Sequence, residues 1–600
     1  MSQYQASVRS RADRRRRVRS GRRPATQARP ARSPLIRTLL AHTRSSAFSK
    51  YVETLLLELC RSDTTARADV AQMRTAEDAC FQALGRELAT LSFPATRLER
   101  RPINPAIQNH PHFSLLHFTK TAERPGGLSA EETYAGRSNL VYIAPGGNER
   151  TGGTSVALNA HIDVVAPWFP PRVRRGTVYG RGACDDKGPV VSIIGALKAL
   201  SEVMAEAGLR LNRDMVAMFV VEEETGGNGS LSLAMDRGLK SFFDCVVVGE
   251  CTGLKLHPAN RGAVWYRAEL KPPAGVSPFE MFAFVNQELE AEGAALRAES
   301  FHPLFPQRPV QTCHGILGRF GEHPSRICGE VNFTVHCPQP PTEALERLVR
   351  DCLEAGLAGY IGAYGDKTKV IEPASRKPLV ARHYDLHCTA AGFQVNVHGA
   401  TGHMGAIRER DGAITKLAHF VRSLVRSKAR LEAFSGGPVS FALDGATPGD
   451  TLLLEGGQGF VPTHGIEEVM ARLRTAVERG AENYLRLVGR TEAGAEMVRV
   501  TYEKLHNAAF DGDTDSPAMC NALAAARACR LPQDEPILGW TVSCDARLFA
   551  CEYPGMPVLT FGPGQLAFAH SDQEQIALED IRKAAEFLAV FLLRQTGTVG

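Results

Sequence analysis

The 600-residue sequence has no uninterrupted apolar run of the roughly 18 residues that a membrane-spanning helix needs, which argues against a membrane span. Its 14 cysteines are scattered singly, without one CxxC pair. In a long chain that pattern excludes a disulfide framework and a thiolate-rich zinc site, and it points to reduced thiols in a cytoplasmic protein. No apolar segment of adequate length follows the N-terminal arginines before Phe48, so no secretory signal is expected. Acids are nearly missing from the first 50 residues, where 14 Lys+Arg face Asp13 alone. The other 550 residues carry 56 basic and 64 acidic groups and are mildly acidic.

Residues 1–45, with Arg14 to Arg17 and Arg22-Arg23, hold too little apolar content to fold alone and read as a disordered Arg-rich tail. The functional alternative, an anion-binding arm for nucleic acid or acidic lipid, gains no support from the acidic remainder. Neither nucleic acid nor a membrane is therefore expected as a partner.

What is present is ordinary globular composition, 44% hydrophobic and 22% charged, in a chain too long for one core. Apolar runs at 138–144, 155–160, 214–221 and 244–249 alternate with helical patterns such as Pro189 to Ala205. Continuous runs between helices indicate strands covered on both faces, hence an α/β domain. From 263 to 500 the character changes to Pro-jointed mixed helices and strands, read as an inserted domain. The expected order is a first part of the α/β domain at 46–262, the insertion at 263–500, and the second part at 501–600.

The α/β strands end in chemistry: His161 and Asp163, then Asp185 and Asp186 in a glycine-rich turn, then Glu223 and Glu224, Glu250, and finally His570. Ligands in open α/β sheets converge at the carboxyl ends of strands. Each signal alone is bland, because an HxD pair is usually a strand end with a solvated acid. A Glu222–Glu224 run is usually an acidic helix start, favoured there by the helix dipole. Together, two imidazoles and several carboxylates suit a pair of borderline ions such as Zn²⁺, Co²⁺ or Mn²⁺. Adjacent acids allow one to bind metal while its neighbour moves a proton.

The segments AHIDVV (160–165), YGRGACDDKG (179–188), VEEETGG (221–227), VVGECTG (247–253), FGPG (561–564) and AHSDQE (569–574) resemble the co-catalytic zinc hydrolases that include acetylornithine deacetylase, succinyl-diaminopimelate desuccinylase, aminoacylase and glutamate carboxypeptidase. The resemblance covers about 140–262 and 515–595. It implies a mixed-sheet di-metal hydrolase domain interrupted by a large α+β lid. It also implies that His161, Asp185 and Glu250 bind one ion, and that Asp185, Glu224 and His570 bind the other. Glu223 becomes the general base and Asp163 the clamp on His161, while Asp186 aligns with a variable position.

In that family a lid histidine in a GxxxH element steadies the oxyanion, and Gly399-Ala-Thr-Gly-His403 fits, with His398 the lesser candidate. The insertion is about twice the usual lid, and residues 325–355, which resemble the part that normally follows this element, precede it here. A doubled lid is suggested. The ordinary family member is a homodimer in which the partner donates this histidine; a doubled lid would supply it within one chain and make a monomer. The implied substrate is an N-acyl amino acid or a peptide, cleaved at an amide beside a free carboxylate in the manner of a deacylase, carboxypeptidase or dipeptidase. Arg547 and Arg408 are the candidates to grip that carboxylate. A catalytically inactive binding protein on the same scaffold is the alternative, and it predicts a lost ligand or base.

Overall fold

A computed structural model describes residues 33–147, 152–372, 375–446, 451–502 and 506–600. Residues 1–32, which carry the arginine runs, lie outside the described residues. The chain forms an α/β domain and a large insertion.

The first domain contributes strands β1 (Arg97–Pro102), β2 (Ser138–Ala144), β3 (Val156–His161), β4 (Met215–Val220) and β5 (Cys245–Val248). A last strand, β14 (Val558–Thr560), arrives from the far end of the chain to complete the sheet order β1-β2-β4-β3-β5-β14. The sheet is mixed: β1, β2 and β4 pair antiparallel, whereas β4, β3, β5 and β14 run parallel. Alternate residues explain why these runs are apolar throughout. Leu140, Tyr142, Leu158, Ala217 and Phe219 pack into one core, and Val141, Ile143, Ala157, Met218 and Val220 pack into a second on the opposite face.

Helix α1 (Pro34–Thr43), α2 (Ser46–Cys60), α3 (Lys187–Glu206) and the C-terminal α8 (Leu578–Thr596) share the first core. Helix α3 is long and apolar enough to cross a membrane, but 83% of its most apolar window is buried inside the protein. It is hydrophobic all round because it is a core helix. The expectation that residues 33–45 belong to a disordered tail is corrected by α1. Ser33 caps it by accepting from the Ile36 N–H, Pro34 opens it, and Ile36, Leu39, Leu40 and Thr43 are buried. Arg37 and Arg44 continue the composition of the tail and hid that helical spacing; Arg44 pairs with the buried Glu586.

The insertion holds two units of one topology, nested. The outer unit consists of β6 (Gly262–Leu270), α4 (Pro278–Glu299), β7 (Thr312–Leu317), β12 (Leu452–Phe460), α7 (Ile466–Leu487) and β13 (Val498–Thr501). The inner unit, between β7 and β12, consists of β8 (Glu330–His336), α5 (Glu343–Tyr364), β9 (Tyr384–Thr389), β10 (Gly392–His398), α6 (Ala413–Arg426) and β11 (Ser440–Leu443). Their antiparallel sheets run β7-β12-β6-β13 and β9-β10-β8-β11. Each unit is therefore a βαββαβ element with its strands in the spatial order second, third, first, fourth. Nesting accounts for the inverted order of the lid motifs. Strand β8 and helix α5 open the inner unit, and His403 follows the third strand of that same unit.

Candidate metal centre

The carboxyl ends of β3, β4 and β5 face one side of the sheet and present His161, the Glu222–Gly227 turn, and Glu250. The three consecutive acids after β4 do not share a direction. Glu222 stands at φ 68° and Gly227 at φ 81°, which folds the chain back on itself. A Cβ on Gly227 would lie 2.3 Å from Asp545 Oδ1, so this position admits no side chain. Glu222 is turned away into a buried network: it accepts from Tyr134 Oη at 3.0 Å and from Arg137. The guanidinium of Arg137 also pairs with Glu77 at 2.6 Å. With Glu222 pinned, Glu223 and Glu224 are left for the cluster. Replacing Arg137 with Met strands two buried acids and is expected to destabilise the fold by about 3–5 kcal/mol, measured by denaturant unfolding.

The cluster has two halves that share Asp185. One ligand atom from each of His161, Asp185, Asp186 and Glu250 lies within 4.8 Å of the others, and the same holds for Asp185, Glu224 and His570. Asp185 Oδ1 is 3.5 Å from His161 Nε2, whereas its Oδ2 is 3.3 Å from His570 Nε2. His570 Nε2 is also 2.9 Å from Glu224 Oε1, and His161 Nε2 is 4.0 Å from Glu250 Oε1. Asp163 Oδ1 lies 3.4 Å from His161 Nδ1. Its two oxygens also accept the backbone N–H groups of Glu223 (3.2 Å) and Glu224 (3.0 Å). One carboxylate thus fixes both the imidazole and the turn that carries the next two acids.

The electrostatics are costly without a cation. Burial, then the surrounding acids, push the carboxyl of Glu250 well above its ordinary range, and burial does the same to Asp186 against the opposing pull of His161. Burial likewise raises Glu223, and Asp545 and Glu224 add to it against the opposing pull of His161. Both oxygens of Asp186 are buried without a hydrogen-bond partner among the described residues. Groups of this kind inside a protein are paired or coordinate metal. The donor set, two imidazoles and carboxylates with no thiolate, fits divalent ions. Asp186 sits against His161 and Glu250, although its motif position gave it no role.

Glu574 escaped the sequence reading although it lies inside the AHSDQE segment. Fully buried and paired with Arg181 at 2.5 Å, it accepts the N–H groups of Cys184 (3.0 Å) and Asp185 (3.2 Å) and so sets the turn that aims Asp185. Its signal was its place in the motif, four residues beyond a proposed ligand.

His403 reaches the cluster within the same chain. Its ring meets that of His570 edge-on with centroids 4.7 Å apart, and its backbone N–H donates to Ala569 at 3.1 Å. Nδ1 accepts the Gly405 N–H at 3.0 Å, which leaves the ring proton on Nε2 in the neutral form. Burial and the neighbouring His570 hold its pKa well below the usual imidazole value, so the neutral donor form is favoured. His398 is engaged with Asp385 at 2.8 Å instead.

The two arginines selected for a carboxylate grip are placed differently. Arg408 is exposed, and its carbonyl accepts from Lys367. Arg547 is buried behind the acidic turn, where its Nη2 donates to Gly226 O at 2.9 Å. A polar cleft of about 520 Å³ borders the loop after His570; it is lined by Arg326, Arg410, Glu322, Glu372 and Asp572, none of which the sequence singled out.

A putative [LysW]-lysine/[LysW]-ornithine hydrolase of Pyrobaculum aerophilum is 35% identical over 222 residues, covering 35% of this chain and 59% of that protein. The succinyl-diaminopimelate desuccinylase of Delftia acidovorans is 27% identical over 297 residues, covering 47% of this chain and 69% of that one. Among the curated relatives it matches, this chain thus spans about three-fifths to two-thirds of the length in these two cases. Human carnosine dipeptidase 1 shares the fold at a TM-score of 0.53 and 16% identity, over 94% of this chain and 99% of that one. The family model described as Peptidase family M20/M25/M40 matches residues 157–594, which include every residue of the two ligand groups, and the chain belongs to that family.

Proposed function

We propose that the protein is a metal-dependent hydrolase that cleaves an amide bond beside a free carboxylate in an N-acyl amino acid or a small peptide. The observation that carries this reading is the pair of interlocking ligand groups, joined through the two oxygens of Asp185, with Glu223 beside them. His161, Asp185 and Glu250, with Asp186 adjoining, would hold one ion; Asp185, Glu224 and His570 would hold the other. Zn²⁺ is the first choice, with Co²⁺ or Mn²⁺ as substitutes. When bound, two such ions supply hydroxide near neutral pH and polarise the scissile carbonyl.

The protein's own groups do the rest. Glu223 accepts the proton of the attacking water and delivers it to the leaving nitrogen. His403, neutral with its proton on Nε2, donates to the developing oxyanion. Asp163 holds the tautomer and orientation of His161. Glu222, Arg137 and Glu574 hold the two turns that bear the acids. All 14 cysteines are free thiols, which supports a cytoplasmic protein.

The test is a hydrolysis screen of N-acetyl amino acids, dipeptides and longer peptides. The protein is first stripped with a chelator and then reloaded with Zn²⁺, Co²⁺ or Mn²⁺. Activity is expected to vanish on stripping and to return with two ions per chain. A doubly loaded protein that cleaves no amide would overturn the reading.

A further inference from the structure

His570 faces Asp185 and Glu224 of the α/β domain, but the loop that carries it is held by residues of the insertion. It stands at φ 58°, a left-handed conformation that a non-glycine residue keeps only when its neighbours enforce it. Two segments of the inner lid region enforce it. Arg326, 6% exposed, donates from Nε to the carbonyl oxygen of His570 at 2.9 Å and from Nη2 to Asp572 Oδ1 at 2.5 Å. Glu322 pairs with the same guanidinium. Ser325 Oγ lies 3.5 Å from His570 Nδ1, the ring nitrogen opposite the one that faces Asp185 and Glu224. The second segment grips the same loop from the other side. The His403 N–H bonds Ala569 O, Thr401 Oγ1 bonds Asp572 Oδ2 at 3.1 Å, and Arg410 donates to Ala567 O. The two segments are themselves paired, with the Met404 N–H on Ser325 O at 2.8 Å and the Ile327 N–H on Gly402 O at 2.9 Å.

Taking the cluster as the two-ion centre argued above, we propose that Arg326 is a positioning residue for His570, and that docking of the inner lid unit and metal loading at the Glu224–His570 position are linked. The reason is geometric. The guanidinium holds the carbonyl of His570 and the side chain two residues further on, so the backbone of the ligand is set by the lid. Partners behind a metal-bound imidazole fix its orientation, and their loss typically weakens metal binding by about 10–100-fold. Linkage then works in both directions: an ion that needs His570 in this pose also favours the docked lid.

Full-length protein is stripped and titrated with Co²⁺, whose visible absorption follows the two binding steps. In Arg326→Gln, one step is expected to weaken by tenfold or more, the other to stay within twofold, and the thermal midpoint to stay close to wild type. A general structural defect would weaken both. In the wild-type protein, removing metal is expected to speed hydrogen exchange at the amides of Ile327, His403 and Met404. If Arg326→Gln folds and binds both ions as wild type does, the proposal is overturned. Should that variant fail to fold, the exchange measurement decides, and equal rates with and without metal overturn it. Wild-type protein that takes up two ions but lacks this linkage leaves the hydrolase reading standing; protein that takes up none overturns both.

Discussion

Glu223→Gln is expected to lower kcat by about 10²–10⁴-fold, the range for removing a positioned general acid–base group, with KM nearly unchanged. The substitution is close to isosteric, and Glu223 belongs to neither ligand group, so two ions should still bind. Its backbone N–H, which Asp163 accepts at 3.2 Å, is retained, and so the turn keeps its shape. A variant with undiminished turnover would remove Glu223 from the chemistry. One that lost an ion would make it a ligand instead, and metal analysis of the purified variant separates those outcomes.

The second large effect concerns His403. His403→Ala is expected to lower kcat by about 10²–10³-fold, equivalent to about 3–4 kcal/mol of barrier, while both ions remain bound. Because His403 meets His570 within one chain, each polypeptide should hold a complete site and act as a monomer. Mixing Glu223→Gln with His403→Ala should therefore restore nothing. Recovered activity in the mixture, together with a dimer by light scattering, would show that the histidine is exchanged between copies. The nested lid supports the single-chain reading. Its two units share one topology, and Arg326 and His403 of the same chain lie against His570.

Three of the proposed ligands, His161, Glu224 and Glu250, follow apolar runs, and strand ends in an α/β sheet converge by construction, whereas Asp185 and His570 lie in loops that the family motifs pick out. His161, Glu250 and the acids after Val221 are legible for that reason, as is their order along the chain. Within those acids residue chemistry alone is silent, and it was the family resemblance that set Glu223 and Glu224 apart from Glu222. Glu222, Glu223 and Glu224 are chemically alike, and only the left-handed backbone at Glu222, together with Arg137 and Tyr134, decides which one faces away. Asp186 illustrates the converse, since a position without a family role is buried, unpartnered and set among the ligands. Helix α1 was hidden by the arginine-rich composition around it, although its buried residues follow helical spacing.

The sequence by itself determined the fold class and offered residue types suited to divalent ions, because periodicity and residue chemistry are local properties. Tertiary structure alone decided what stands behind each ligand. Glu574 sets Asp185 across 389 residues of chain, and Arg326 holds the His570 carbonyl across 244. Arg408 is exposed, while Arg547 is buried with its Nη2 on the carbonyl of Gly226. Such contacts depend on how two nested lid units dock on a sheet, and no spacing within a segment encodes a distance between segments.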